Sequence, residues 1–290
     1  MDRSARIISQ KSEAGFVLVA VIWIAGLLAV ISTAFVLSVR SHTLLARNVV
    51  FNTKAEYIAD GMAKLLALRL ATRVGDASFD RSGQTAFCLW SPDVSVAWRI
   101  QDQAGLIDLN TASPRLFAAL LSGLGLQKIN VSDVVDFRDP DNAALNGGAE
   151  NVSYEGKSYS SKNAPFAFTA EIDQLPGIDD LALKQLLTFV TIQSQQPGLD
   201  LAVAPEKLLK LLGASGRFDL VLSTFHSPST QKTYSIEILV QTIQKSRFYR
   251  RVDVSLLLQP DRPFAILAWE RGRDSSDWNF PATVQEPCIS

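Results

Sequence analysis

Residues 16–39 read FVLVAVIWIAGLLAVISTAFVLSV, 24 consecutive positions without a charged side chain. No other feature restricts the chain so strongly. As a helix rising roughly 1.5 Å per residue, the run is about 36 Å long, enough to cross the hydrocarbon of a bilayer. Hydrocarbon offers no hydrogen-bond partner, so a single span has to pair its backbone internally as a helix. Its polar members, Ser32, Thr33 and Ser38, can return their hydroxyls to helix carbonyls. The run exceeds the roughly 7–15 residues of a secretory signal core, and no clear Ala-x-Ala cleavage site follows it. Arg3, Arg6 and Lys11 precede it and favour a cytoplasmic N-terminus, against Arg40, Arg47 and Lys54 on the far side.

The boundary before the span reads Ser12-Glu13-Ala14-Gly15-Phe16. A short charged leader, Gly at its last position and Phe opening an apolar run resemble the type IV prepilin signal. The resemblance implies cleavage between Gly15 and Phe16 by a prepilin peptidase and methylation of the new amine on Phe16. Glycine has no Cβ, so a membrane protease can approach the scissile backbone closely. Major pilins carry Glu at the fifth mature position, where this chain has Ala20. A carboxylate in hydrocarbon needs a partner, and in pilins that partner is thought to be a neighbour's terminal amine. Within the family, lacking the Glu implies a subunit at the filament tip, with none ahead of it.

Beyond the span, Phe51, Ala55, Ile58, Met62 and Leu65 recur on one helical face, and no proline occurs before Pro92. The helix is predicted to run as a spine from Phe16 to about Val74, stopping near Gly75-Asp76. Strand-like runs follow at Thr85–Trp90, Ser95–Gln101 and Leu106–Leu109, and again at Phe218–Phe225, Tyr234–Ile243, Tyr249–Leu258 and Pro263–Trp269. In the later runs, Tyr234, Ile236, Ile238 and Val240, then Val252, Val254 and Leu256, alternate with polar residues. That pattern predicts an antiparallel sheet with one wet face. Between the strand groups the texture changes. Ser113-Pro114 is an N-cap followed by proline at the first helical position. Leu116–Leu121, Val131–Arg138 and Leu181–Val190 read as short helices around a polar loop, Asn142–Lys162. Leu208–Leu212 is assigned to the connection returning to the sheet.

The expected fold class is α+β: a long N-terminal transmembrane and spine helix, and an antiparallel-sheet, pilin-like domain with an inserted all-helical subdomain. The boundaries are a leader at 1–15, the transmembrane helix at 16–39, the sheet domain at 75–109 and 200–275, the insert at 110–199 and a tail at 276–290.

The order of motifs is more specific than any one of them. Gly105-Leu106-Ile107-Asp108-Leu109-Asn110-Thr111-Ala112-Ser113-Pro114 opens the insert, and Val135-Asp136-Phe137-Arg138-Asp139-Pro140-Asp141 follows. Then come Gly148-Ala149-Glu150-Asn151, Tyr154, Asn163-Ala164-Pro165-Phe166 and Leu175-Pro176-Gly177-Ile178. From the leader to about Trp269 this order resembles the minor pseudopilins K of the type II secretion system. The resemblance implies an inner-membrane protein with a periplasmic body, partnered by minor pseudopilins I and J and other pseudopilins, at the tip of a short pseudopilus that helps export folded proteins. A type IV pilus minor pilin is the nearest alternative. Some family members bind calcium, and here Asp136, Asp139, Asp141, Glu150 and Asn151 are the oxygen donors at matching positions. Oxygen-only donors suit a hard cation.

Cys88 and Cys288 are the only cysteines, His42 and His226 the only histidines, and no CxxC spacing occurs, so a Cys/His zinc site is not expected. In an oxidising compartment they can pair; the alternative reading is a buried thiol and a free tail thiol. Leu175-Pro176-Gly177-Ile178 also looks like a helix-hairpin-helix turn, whose amides grip phosphates in a membrane-tethered DNA-binding or uptake protein. Asp173, Asp179 and Asp180 flank it, and the formal net charge is −1, so no nucleic acid is expected as a partner. GxSxG, HExxH and Walker motifs are absent from the sequence, and no enzymatic activity is expected.

Overall fold

The computed structural model of the chain describes residues 13–72, 83–155, 160–214, 224–242, 246–257, 259–272, 278–281, 284 and 286–288. Helix α1 spans Glu13–Thr72. The chain divides into two compact units, residues 1–55 and 56–290. In the first, the described residues form the helix alone, and its apolar side chains from Phe16 to Val50 stand exposed. No water-soluble fold leaves such a run uncovered; a bilayer is the solvent that suits it. Thr33 returns its hydroxyl to the Ala29 carbonyl at 2.8 Å, so the segment carries no unpaired hydroxyl there.

In the second unit, Ile58, Ala59, Met62, Ala63, Leu66, Ala67 and Leu70 form the buried stripe of the helix. The expected Leu65 lies at its margin. The predicted stop at Gly75-Asp76 falls outside the described residues.

Strands β1 (Thr85–Ser91) and β2 (Val94–Asp102) lead to a two-residue strand, β3 (Ile107–Asp108). Helices α2 (Pro114–Leu124), α3 (Val131–Arg138) and α4 (Asp180–Leu186) follow, then β4 (Val190–Thr191) and α5 (Glu206–Ala214). Strands β5 (Thr233–Thr242), β6 (Arg247–Leu256) and β7 (Phe264–Glu270) complete the main sheet, whose order is β1-β2-β5-β6-β7, antiparallel throughout. Asp102 at the end of β2 pairs with Tyr234 at the start of β5. The insert therefore leaves and returns at adjacent points of the sheet, where a long excursion strains neither strand.

Two expectations are corrected. The insert is not purely helical: β3 and β4 pair in parallel, Ile107 with Val190 and Asp108 with Thr191. The helix expected over Leu181–Val190 ends early: α4 stops at Leu186, a turn follows, and Val190 is extended. Leu208 and Leu212 of α5, expected in the returning connection, lie in the insert's own core with Leu116, Leu120, Phe137 and Leu186. Most of the predicted strand 218–225 falls outside the described residues, and its described end, 224–225, is helical.

The sheet's second face is not simply wet. Phe87, Ala97, Leu239 and Tyr249 stand in one row across four strands, and Trp278 and Phe280 of the tail pack over that row. Residues 286–288 then lie along β1: Leu89 N–H donates to the Glu286 carbonyl at 2.7 Å, and Cys288 N–H to the Leu89 carbonyl at 3.1 Å. The Cys88–Cys288 disulfide fixes the contact, with Cα atoms 4.8 Å apart. Trp278 and Cys288 of the tail are thus part of the core.

Candidate metal centre and membrane anchor

The opening motif of the insert explains its own residues. A Cβ at Gly105 would stand 2.4 Å from the Val203 carbonyl oxygen, so only glycine fits. Asp108 is fully buried and accepts from Asn110 N, Thr111 N, Ser194 Oγ and Gln195 N. Asn110 bridges to Phe166 in both directions, Nδ2 to its carbonyl at 3.1 Å and Oδ1 from its N–H at 2.7 Å. Ser113 Oγ caps α2 by accepting from Leu116 N. Arg138, at the end of α3, donates to the Leu109 and Ala112 carbonyls. Burial pulls its guanidinium down from the ordinary range, and the charges of Asp108 and Asp139 oppose that.

This frame sets the position of the loop that follows. Asp139 is the C-cap of α3. Carboxylate oxygens of Asp139, Asp141 and Glu150 lie within 4.8 Å of one another. Glu150 is 5% exposed, yet neither of its oxygens receives a hydrogen bond of normal geometry, and Asp139 Oδ1 is buried and equally unpartnered. Burial pushes the Glu150 carboxyl up, and so do the charges of Asp136, Asp139 and Asp141; the nearby Asn151 N–H offsets only a little. A buried carboxylate without a donor is costly unless a cation supplies the missing charge. All the donors are hard oxygens, the chemistry calcium prefers. The residues present therefore fit such an ion, which Asp139, Asp141 and Glu150 would hold.

Asp136, a fourth expected donor, is engaged elsewhere. Asp136 is fully buried and accepts the Leu145 N–H on both oxygens, at 3.3 and 3.1 Å. A Cβ at Gly148 would fall 1.9 Å from its Oδ2, which explains that glycine. Asn151 donates Nδ2 to Asn142 Oδ1 at 2.8 Å.

At the other end of the chain, Gly15 lies within α1 and Phe16 is exposed. A Cβ at Gly15 would meet nothing within 4 Å, so packing does not demand glycine there. Ala20 stands partly exposed on the same helix.

The hairpin turn at Leu175–Ile178 is a packing device. Gly177 has φ +81°, and a Cβ there would approach the Lys128 carbonyl to 3.2 Å. Asp179 caps α4 by accepting from Ala182 N at 2.8 Å, so a carboxylate occupies the helix end a phosphate would need.

An exposed apolar N-terminal helix fits a single-pass membrane anchor, and the antiparallel sheet with its largely helical insert makes the body an α+β fold. Residues 99–195 match the family described as "Type II secretion system (T2SS), protein K". That segment is a third of the chain and contains the insert's opening motif and the whole acidic cluster. No curated protein sequence matches. Among solved structures, the chain is similar to one in "The Crystal Structure of the GspK-GspI-GspJ complex from enterotoxigenic Escherichia coli Type 2 Secretion System", with TM-score 0.59 and 15% identity over 79% of this chain and 99% of that one. Residues 99–195 are thus similar to the protein K family, and the chain shares the fold of that solved structure.

Proposed function

We propose that this protein is the tip subunit of a type II secretion pseudopilus, held in the inner membrane by residues 16–39 with its body in the periplasm. The observation that carries the reading is the protein K match over residues 99–195 in a chain that also has an exposed N-terminal apolar helix. Minor pseudopilins I and J are the partners, and the solved complex of that fold supports them. The role is structural: the subunit leads a stack of helices and catalyses nothing. Ala20 supports the leading position, because a helix without a carboxylate there has no means to neutralise the terminal amine of a subunit ahead of it. Prepilin peptidase cleaves between Gly15 and Phe16, and the packing-free Gly15 supports that assignment.

Calcium bound by Asp139, Asp141 and Glu150 stabilises the body. The unpartnered, buried Glu150 carboxylate supports the ion.

N-terminal mass spectrometry of protein taken from membranes tests the assignment. The expected mature chain begins with N-methyl-Phe16, and cells lacking the gene retain their exoproteins in the periplasm. An intact Met1 start together with undisturbed export contradicts it.

A further inference from the structure

Asn163 was not among the donors expected from the sequence. Its backbone is left-handed, φ +49°, a region asparagine enters more readily than most residues. This turns the side chain back onto the Asp141–Asn142 turn. Nδ2 donates to the Asp141 carbonyl at 2.6 Å and to Asn142 Oδ1 at 2.8 Å. Both neighbours are acceptors, so the nitrogen must face them and the orientation of the amide is fixed. The opposite atom, Oδ1, is buried and accepts no hydrogen bond. It shares that condition with Asp139 Oδ1 and both oxygens of Glu150. The segment is held from the other side as well: Lys162 Nζ lies 2.9 and 2.8 Å from the two Glu171 oxygens. Lys162 is thereby neutralised by an acid outside the cluster and does not compete for Asp139, Asp141 or Glu150.

We infer that Asn163 donates Oδ1 to the cation held by Asp139, Asp141 and Glu150, so that the ion ties the segment around 163 to the loop 139–150. The inference rests on the calcium reading above. A neutral amide oxygen adds a ligand without adding charge, which suits calcium's demand for six to eight oxygens where few carboxylates converge. It also gives the ion a mechanical role, since the two segments it joins are separated by the 151–154 turn and the residues that follow it.

The test uses the full mature chain in detergent, titrated with calcium by calorimetry, with the melting temperature of the calcium-free form read alongside. Asn163→Ala removes the oxygen and is expected to weaken calcium binding at least about tenfold. Asn163→Asp keeps an oxygen, adds charge and loses the Nδ2 donor. It is expected to bind calcium at least as tightly as the wild type, even where its calcium-free form melts lower. Equal weakening in both variants would overturn the inference and assign Asn163's effect to its Nδ2 donor. Unchanged affinity in both would overturn it also, while leaving the carboxylate site standing. A wild-type chain that binds no calcium up to about 10 mM would remove the underlying site and this inference together.

Discussion

Arg250 lies in a strand position where the alternation of Phe248, Val252 and Val254 calls for an inward, apolar residue. Its side chain is 5% exposed and reaches Glu56 at 2.7 Å and Asp60 at 2.9 Å, two acids one turn apart on α1. The guanidinium also lies over the rings of Phe248 and Trp269, 5.3 and 5.4 Å from their centroids. The two acids are partly solvated, so removing the cation strands them less than the reverse. Arg250→Ala is expected to cost on the order of 2 kcal/mol. Glu56→Ala with Asp60→Ala, which leaves the buried cation alone, is expected to cost more, about 3–5 kcal/mol; chemical denaturation measures both. A second residue-scale prediction concerns Asp133, 5% exposed at the third position of α3. Burial pushes its carboxyl up from 3.8 to about 6; the Asn130 N–H opposes this and the Asp136 charge adds to it. The folded protein thus holds this proton more tightly than the unfolded chain. Its contribution favours folding at acid pH and is lost as pH rises from about 4 through about 6. Asp133→Asn, measured without calcium, is expected to be more stable than wild type by on the order of 2 kcal/mol at pH 7, with the difference vanishing near pH 4.

At the scale of elements, the insert's opening motif is a set of backbone contacts written in side chains. Gly105 admits the Val203 carbonyl, Asp108 gathers two turns, Asn110 pairs with Phe166, and Arg138 ties α3 to both. Gly105→Ala forces a Cβ onto a backbone oxygen that has no rotamer to move. It is expected to cost roughly 1–3 kcal/mol, read as a lower melting temperature, with calcium affinity also reduced because the frame that positions Asp139 shifts. Helix caps at Ser113 and the stripe on α1 were legible in the sequence, because capping and helical spacing are local. The β3–β4 pair was not. Two-residue strands carry no period, and their pairing depends on residues 83 positions apart meeting in space. Of the candidate metal cluster, the sequence showed only that several acids lie close together. Whether a given oxygen points into that cluster or to a backbone amide, as Asp136 does with Leu145, depends on the loop's path.

For the whole molecule, the disulfide between Cys88 and Cys288 links positions 200 apart. Closing so long a loop removes much entropy from the unfolded chain, and its loss is expected to destabilise the body by about 2–5 kcal/mol. Reduction should lower the melting temperature and also expose Trp278, so that its fluorescence shifts to the red before global unfolding. A reduced body that melts like the oxidised one would show that the tail is held by packing alone.

The sequence by itself determined the parts governed by near neighbours. An uncharged run of that length fits a membrane-spanning helix, the spacing beyond it makes one buried stripe, and turn residues divide strands from insert. Only the tertiary structure decided which strand the tail lies beside, that Trp278 covers the sheet's second face, that an arginine inside the sheet meets two acids on the spine, and which oxygens remain unpaired around Glu150. Those outcomes depend on contacts between distant residues, and a one-dimensional pattern specifies which side chains seek burial or a partner but not which ones meet.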